Sequence, residues 1–211
     1  MRKKILFLAT EIFLLILLPY YLMTTQVSVL AARPLIMGFG GLYCTLMLFY
    51  HRVKLPTLGL TRNNFGPGIK SLVVPSLLVI LGIYFVLQYV TQTTRIWLIG
   101  SDPLTISNFY ARLAFYVFGS APVQELIFRG YLTWRLEKAE LSQFWLWILS
   151  VGIFTLLHAP FKSPIMLGVA LVLGIIYLAN FLRYRNLLAV SVSHGLVGAV
   201  LIILRNYYLP Y

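Results

Sequence analysis

The chain is a succession of apolar runs, each about 17–25 residues, the length a helix needs to cross the hydrocarbon of a bilayer. They lie near 4–24, 27–50, 71–93, 104–120, 122–138, 142–159, 164–182 and 186–207. In lipid a backbone N–H or C=O has no water to bond, so a spanning segment must satisfy its own polar groups, and helices do so. The pattern therefore predicts an all-α, polytopic transmembrane helix bundle of about seven or eight helices. A content of 60% hydrophobic and 10% charged residues over 211 positions excludes an ordinary soluble domain. No internal repeat is visible, which gives no support to an inverted-repeat transporter.

The formal charge of +12 raises the question of nucleic acid. Lys and Arg sit in short segments between the apolar runs, where topology signals and anionic-lipid contacts are found, so nucleic acid is excluded as a partner and anionic lipids are expected. The segment from His51 to Lys70 carries Arg52, Lys54, Arg62 and Lys70 and the turn-rich stretch Asn63-Asn-Phe-Gly-Pro-Gly68, and reads as a cytoplasmic loop with His51 at the interface. Arg183-Tyr-Arg-Asn186 is a short basic connector. If these and the basic ends share one side, residues 104–138 cross the membrane an odd number of times, and one of the two runs there is interfacial or re-entrant.

Met1-Arg-Lys-Lys followed by Ile5 to Leu18 resembles a secretory signal, with Val29-Leu-Ala31 as a cleavage site. The apolar stretch is too long for that and continues through Tyr20 and Tyr21, so an uncleaved first span is expected. Glu11 within it is expected to snorkel toward the basic end or to be protonated, rather than to be a buried pair partner. Cys44, the single cysteine, excludes an intramolecular disulfide and a cysteine-based metal cluster. Asp102-Pro103 reads as a helix start, and the helix it opens carries Asn108 and Arg112. It is expected to break at Gly119-Ser120, with Ser120 capping the next helix and Pro122 in its first turn. Ser142 and Ser163-Pro164 offer similar caps.

The chemistry centres on residues 120–130, Ser-Ala-Pro-Val-Gln-Glu-Leu-Ile-Phe-Arg-Gly. Glu125 and Arg129 stand four residues apart and so share one helix face, and ionisable groups at membrane depth mark functional sites by default. His158 ends the run Phe144 to Leu157, and His194 lies inside Leu187 to Leu204. Two imidazoles and a carboxylate on three helices supply the nitrogen and oxygen donors that a catalytic Zn²⁺ takes, with a position left for water. Singly, each has a plainer reading: an intramembrane His bonds a neighbouring helix, Arg129 anchors at the interface, and Phe154 packs in the core. The aromatic-rich Phe144-Trp-Leu-Trp147 reads as an interfacial belt.

These motifs resemble the CAAX prenyl endopeptidase and bacteriocin-processing (Abi or CPBP) family of intramembrane metalloproteases. The family's A-P-x-x-E-E-x-x-F-R-G string is met here by Ala121-Pro-Val-Gln124-Glu125-Leu-Ile-Phe128-Arg129-Gly130, its F-x-x-x-H by Phe154 and His158, and its H-x-x-x-N by His194 with Gly198 in the last position. The likeness covers about residues 104–205. It implies a CPBP-like catalytic helix core over 104–207, with N-terminal transmembrane helices and a basic loop over 1–103, in one membrane domain. It further implies a metal-dependent endopeptidase in the plasma membrane of a bacterium. Its expected catalytic set is Glu125, Gln124, Arg129, His158 and His194, with Glu125, His158 and His194 as ligands to a divalent metal, zinc, and with a peptide or protein substrate.

Two departures open an alternative. Gln124 stands where the family has the first acid of its pair, and a carboxamide accepts no proton. Gly198 stands where the family has Asn. Either Glu125 takes the base role, about 100° around the helix from Gln124, or the chain is a non-hydrolytic member acting as an immunity, scaffold or peptide-binding protein. A proton-relaying transporter is a third class. The expected topology also places His158 farther from the cytoplasmic face than His194, at odds with a shared site.

Overall fold

The computed structural model describes residues 2–25, 33–99 and 106–208, and every described regular element is helical, as expected. Helix α1 (2–25) runs through Arg2–Ile12, a widened π turn at Phe13–Leu17, and Leu18–Thr25. Then come α2 (Arg33–Tyr50), α3 (Phe65–Tyr89), the short α4 (Gln92–Ile99), α5 (106–138), α6 (Gln143–Leu156), α7 (Pro164–Tyr184) and α8 (Leu187–Tyr208). Among the described residues, four helices are long and apolar enough to cross a membrane: Phe65–Tyr89, Gln143–Phe161, Pro164–Tyr184 and Leu187–Tyr208, with Pro34–Tyr50 a shorter apolar helix. Asp102-Pro103 and Val29-Leu-Ala31 lie outside the described residues.

Helix α5 corrects the expected break at Gly119-Ser120. Its backbone is helical without interruption from Ile106–Phe115 through a π turn (Tyr116–Ser120), Ala121–Glu125, a second π stretch (Leu126–Leu132) and Thr133–Lys138. Ser120 has φ −62° and ψ −53° and caps nothing. Pro122 removes a backbone donor and crowds the carbonyl four residues earlier, which ordinarily kinks a helix. Here the turn just before it is already widened, and the chain continues. At about 1.5 Å per residue, α5 is about 50 Å long, longer than the roughly 30 Å hydrocarbon layer. Residues 106–138 thus supply one helix rather than two.

Helix α8 is the centre of the bundle. Half of its most apolar stretch is buried, against 17% for α3, and it packs on α3, α7 and the first π turn of α5. Leu72 of α3, Tyr177 and Phe181 of α7, and Leu187, Val190 and Val197 of α8 form one apolar cluster between these helices. A second joins Phe128, Leu132 and Leu136 of α5 with Val151 and Phe154 of α6 and Leu178 of α7. Outward-facing residues of α3 such as Val74, Leu78 and Phe85 are exposed, as a lipid-facing surface requires.

The basic loop and the basic connector meet, as their common side requires. Asn186 donates to the carbonyls of Thr61 and Asn63, both at 2.7 Å, while its Oδ1 accepts from the Ala189 N–H at 2.8 Å and caps α8. The Leu187 N–H donates to Gly59 O at 2.8 Å. Gly59 has φ +74°, and a Cβ there would lie 2.6 Å from Leu187 N, so this contact requires glycine. Of the expected caps, Ser163 accepts from Met166 N–H at 3.1 Å, whereas Ser142 makes no side-chain cap.

Glu11 is the second correction. It is buried, and its Oε1 accepts from Tyr43 OH at 2.8 Å and from Tyr131 OH. Its Oε2 accepts from Arg135 Nε at 2.9 Å and from the guanidinium terminus at 2.5 Å. A carboxylate with four donors has no reason to snorkel. It ties α1 to α2 and to the last turns of α5.

Candidate active site

Glu125 lies 13 residues before the end of α5, about 20 Å along the axis. Its side chain and that of Arg129 are both fully buried. The carboxylate Oε1 accepts from Arg129 Nη1 at 3.2 Å and from His194 Nδ1 at 2.6 Å, while Oε2 has no partner among the described residues. The second guanidinium nitrogen donates to Gly174 O of α7 at 3.1 Å. The Arg129 carbon sits 4.3 Å from the centre of the Phe154 ring and 5.8 Å from that of Tyr177. A guanidinium at this depth is held by a carboxylate, a carbonyl and two aromatic faces, the partners that make its burial tolerable.

Phe154 is the hub of the site. Its ring lies 4.3 Å from Arg129, 5.2 Å from Phe128, 4.9 Å from His158 and 5.8 Å from His194. Both imidazoles therefore flank one ring, which removes the difference in depth expected from topology. The residue read from sequence as ordinary packing touches the cation and both histidines. His158 Nδ1 bonds its own helix at Phe154 O, 2.8 Å away, and His194 also packs on Tyr177 and Tyr116, with ring centres at 5.4 and 5.9 Å.

The hydrogen bonds assign both tautomers. An ionised carboxylate and a carbonyl can only accept, so Nδ1 of each histidine carries the proton and Nε2 of each presents a lone pair. His194 in this arrangement is an imidazole oriented by a buried acid, the geometry by which a carboxylate fixes a base and stabilises its protonated form.

A metal fits this arrangement poorly. Among the described residues, no three His, Cys, Asp or Glu side chains are grouped so as to hold one ion, and the expected ligands Glu125, His158 and His194 are not assembled as such a set. Glu125 Oε1 is already shared by His194 and Arg129, and the guanidinium beside the carboxylate repels a dication.

Gln124 lies on the neighbouring face of α5. Its Nε2 donates to Ser120 Oγ at 2.9 Å, and Ser120 Oγ contacts Met37 Sδ of α2 at 3.6 Å. The expected set thus divides: Glu125, Arg129 and His194 are directly bonded, His158 joins through Phe154, and Gln124 bonds along its own helix. Tyr116, Phe154, Gly174 and Tyr177 were not read from sequence as site residues. For Phe154 the signal was its i, i+4 spacing to His158.

A helix bundle with apolar spans and a buried acid–imidazole pair between its helices is an integral membrane protein with an enzyme-like interior site. Residues 106–200, just under half of the chain, are similar to the family whose model is described as Type II CAAX prenyl endopeptidase Rce1-like. The match runs from the first described turn of α5 into α8 and contains Glu125, Arg129, His158 and His194. No curated protein and no solved structure gives a significant match.

Proposed function

We propose that the protein is an intramembrane endopeptidase, in a bacterial plasma membrane, that cleaves a peptide bond at the membrane with His194 as the base and Glu125 as its orienting acid. The observation that carries this reading is the 2.6 Å bond between His194 Nδ1 and Glu125 within a fully buried carboxylate–guanidinium pair. A water donates a proton to His194 Nε2, and its oxygen attacks the scissile carbonyl carbon. The imidazolium, stabilised by Glu125, then returns the proton to the leaving amide nitrogen as the C–N bond breaks. His158 Nε2 offers a second acceptor beside the same ring, and Arg129 keeps the carboxylate fixed. The family description supports peptide hydrolysis, and the substrate we propose is a lipid-modified or membrane-bound peptide.

The test is cleavage of a prenylated CAAX peptide in proteoliposomes, read by mass spectrometry. Glu125→Gln and His194→Ala are each expected to lower the rate by 10²-fold or more, roughly the worth of a positioned general base. A chelator is expected to leave the wild-type rate unchanged. Wild-type activity retained in His194→Ala would refute the assignment, and loss on chelation that zinc restores would return the two histidines and Glu125 to a ligand role.

Gln124 favours a second reading, a peptide-binding protein that does not hydrolyse, because its side chain bonds Ser120 and accepts no proton. A wild type without activity that gains it in Gln124→Glu would establish this second reading.

A further inference from the structure

Away from the acid–imidazole pair, Phe7, Leu8, Met47, Tyr50, His51, Arg135, Lys138 and Ala139 line a half-open pocket of about 370 Å³. It opens where α1 begins, α2 ends and α5 ends, the level of the basic loop. Its volume falls at the lower end of small-molecule sites, which span roughly 300–1,000 Å³. The lining has two chemistries. Phe7, Leu8, Met47 and Ala139 form an apolar wall, while Lys138 and His51 form a polar rim, their side chains 3.4 Å apart.

Among the described residues, no carboxylate pairs with Lys138. Arg135 is neutralised by Glu11, both of whose oxygens are already used. The Lys138 ammonium lies 4.8 Å over the Trp134 ring, with His51 5.4 Å from the same ring, and neither contact supplies a negative charge. His51 is held below its ordinary pKa by burial first, then by Lys138 and Arg135, so at neutral pH it offers an uncharged ring and leaves Lys138 as the ammonium that seeks an anion.

We propose that this cavity is a binding site for an anionic phospholipid, with the phosphate on Lys138 and His51 and the first methylenes of an acyl chain along Phe7 and Met47. A zwitterionic lipid gains less, because its own ammonium competes at the rim. A free anion gains less, because it leaves the apolar wall uncovered.

Trp134 reports on the site directly. In a chain with Trp97, Trp145 and Trp147 replaced by Phe, reconstituted in phosphatidylcholine nanodiscs, acyl-brominated phosphatidylglycerol is expected to quench Trp134 in preference to brominated phosphatidylcholine. Lys138→Gln is expected to reduce that preference about fivefold, the worth of one lysine at an anionic surface, and Lys138→Arg to retain it. An unchanged Trp134 emission maximum in phosphatidylcholine alone shows that each variant is folded. Equal quenching by the two lipids in the unsubstituted rim would overturn the proposal, as would a preference that survives Lys138→Gln combined with His51→Gln. Inorganic phosphate that abolishes the preference would identify a free-anion site and overturn it too.

Discussion

The ring of Tyr116 occupies the space that any side chain at position 198 would need. A Cβ built on Gly198 would lie 2.0 Å from Tyr116 Cε1 and 2.5 Å from its hydroxyl, so the first π turn of α5 rests on α8 only because that position is glycine.

Restoring the family's residue by Gly198→Asn is therefore expected to overpack the bundle, at about 1–3 kcal/mol or more. Gly198→Asn combined with Tyr116→Ala should recover much of the loss. Thermal unfolding in detergent compares the two. A single variant as stable as wild type would show that the ring moves aside without cost.

Arg129→Leu leaves the Glu125 carboxylate buried beside a lone imidazole and is expected to destabilise by about 3–5 kcal/mol. Adding Glu125→Gln removes the unpaired charge, and the double variant should unfold closer to wild type than Arg129→Leu alone. Additive losses would mean that the pair carries no coupling.

Glu11→Gln removes the charge facing Arg135 and weakens bonds to Tyr43 and Tyr131. A loss of about 3–5 kcal/mol is expected. Glu11→Gln with Arg135→Met should be milder. An unaltered midpoint in the single variant would rule out the pairing seen here.

His51 should titrate below the usual histidine range, because burial and the charges of Lys138 and Arg135 disfavour its imidazolium. The sign follows: the folded protein favours neutral His51, a preference present above the unfolded pKa and lost as pH falls through the folded one. Lys138→Gln removes a positive neighbour and should raise the His51 pKa toward its ordinary value, as followed by NMR.

The helices were legible because lipid forces each span to be long, apolar and helical, and the site because ionisable residues are rare enough in such spans to be noticed singly. Glu125, Arg129 and His194 met as their depth suggested. Residues 116–122 misled because Ser-Ala-Pro is also the signature of a helix start, and nothing local announces that a widened turn makes room for the proline. Glu11 misled because its partners lie 32, 120 and 124 residues away, beyond any pattern along the chain. Tyr116 was invisible for another reason: its importance comes from what residue 198 lacks.

Asn186 closes the first turn of α8 with one side-chain atom and grips the 61–63 backbone with another. His194 rides on that same helix, two turns farther in. Axial sliding of α8 would have to drag the 59–63 strap along with it. The axial position of His194 is thereby anchored by the 59–63 backbone.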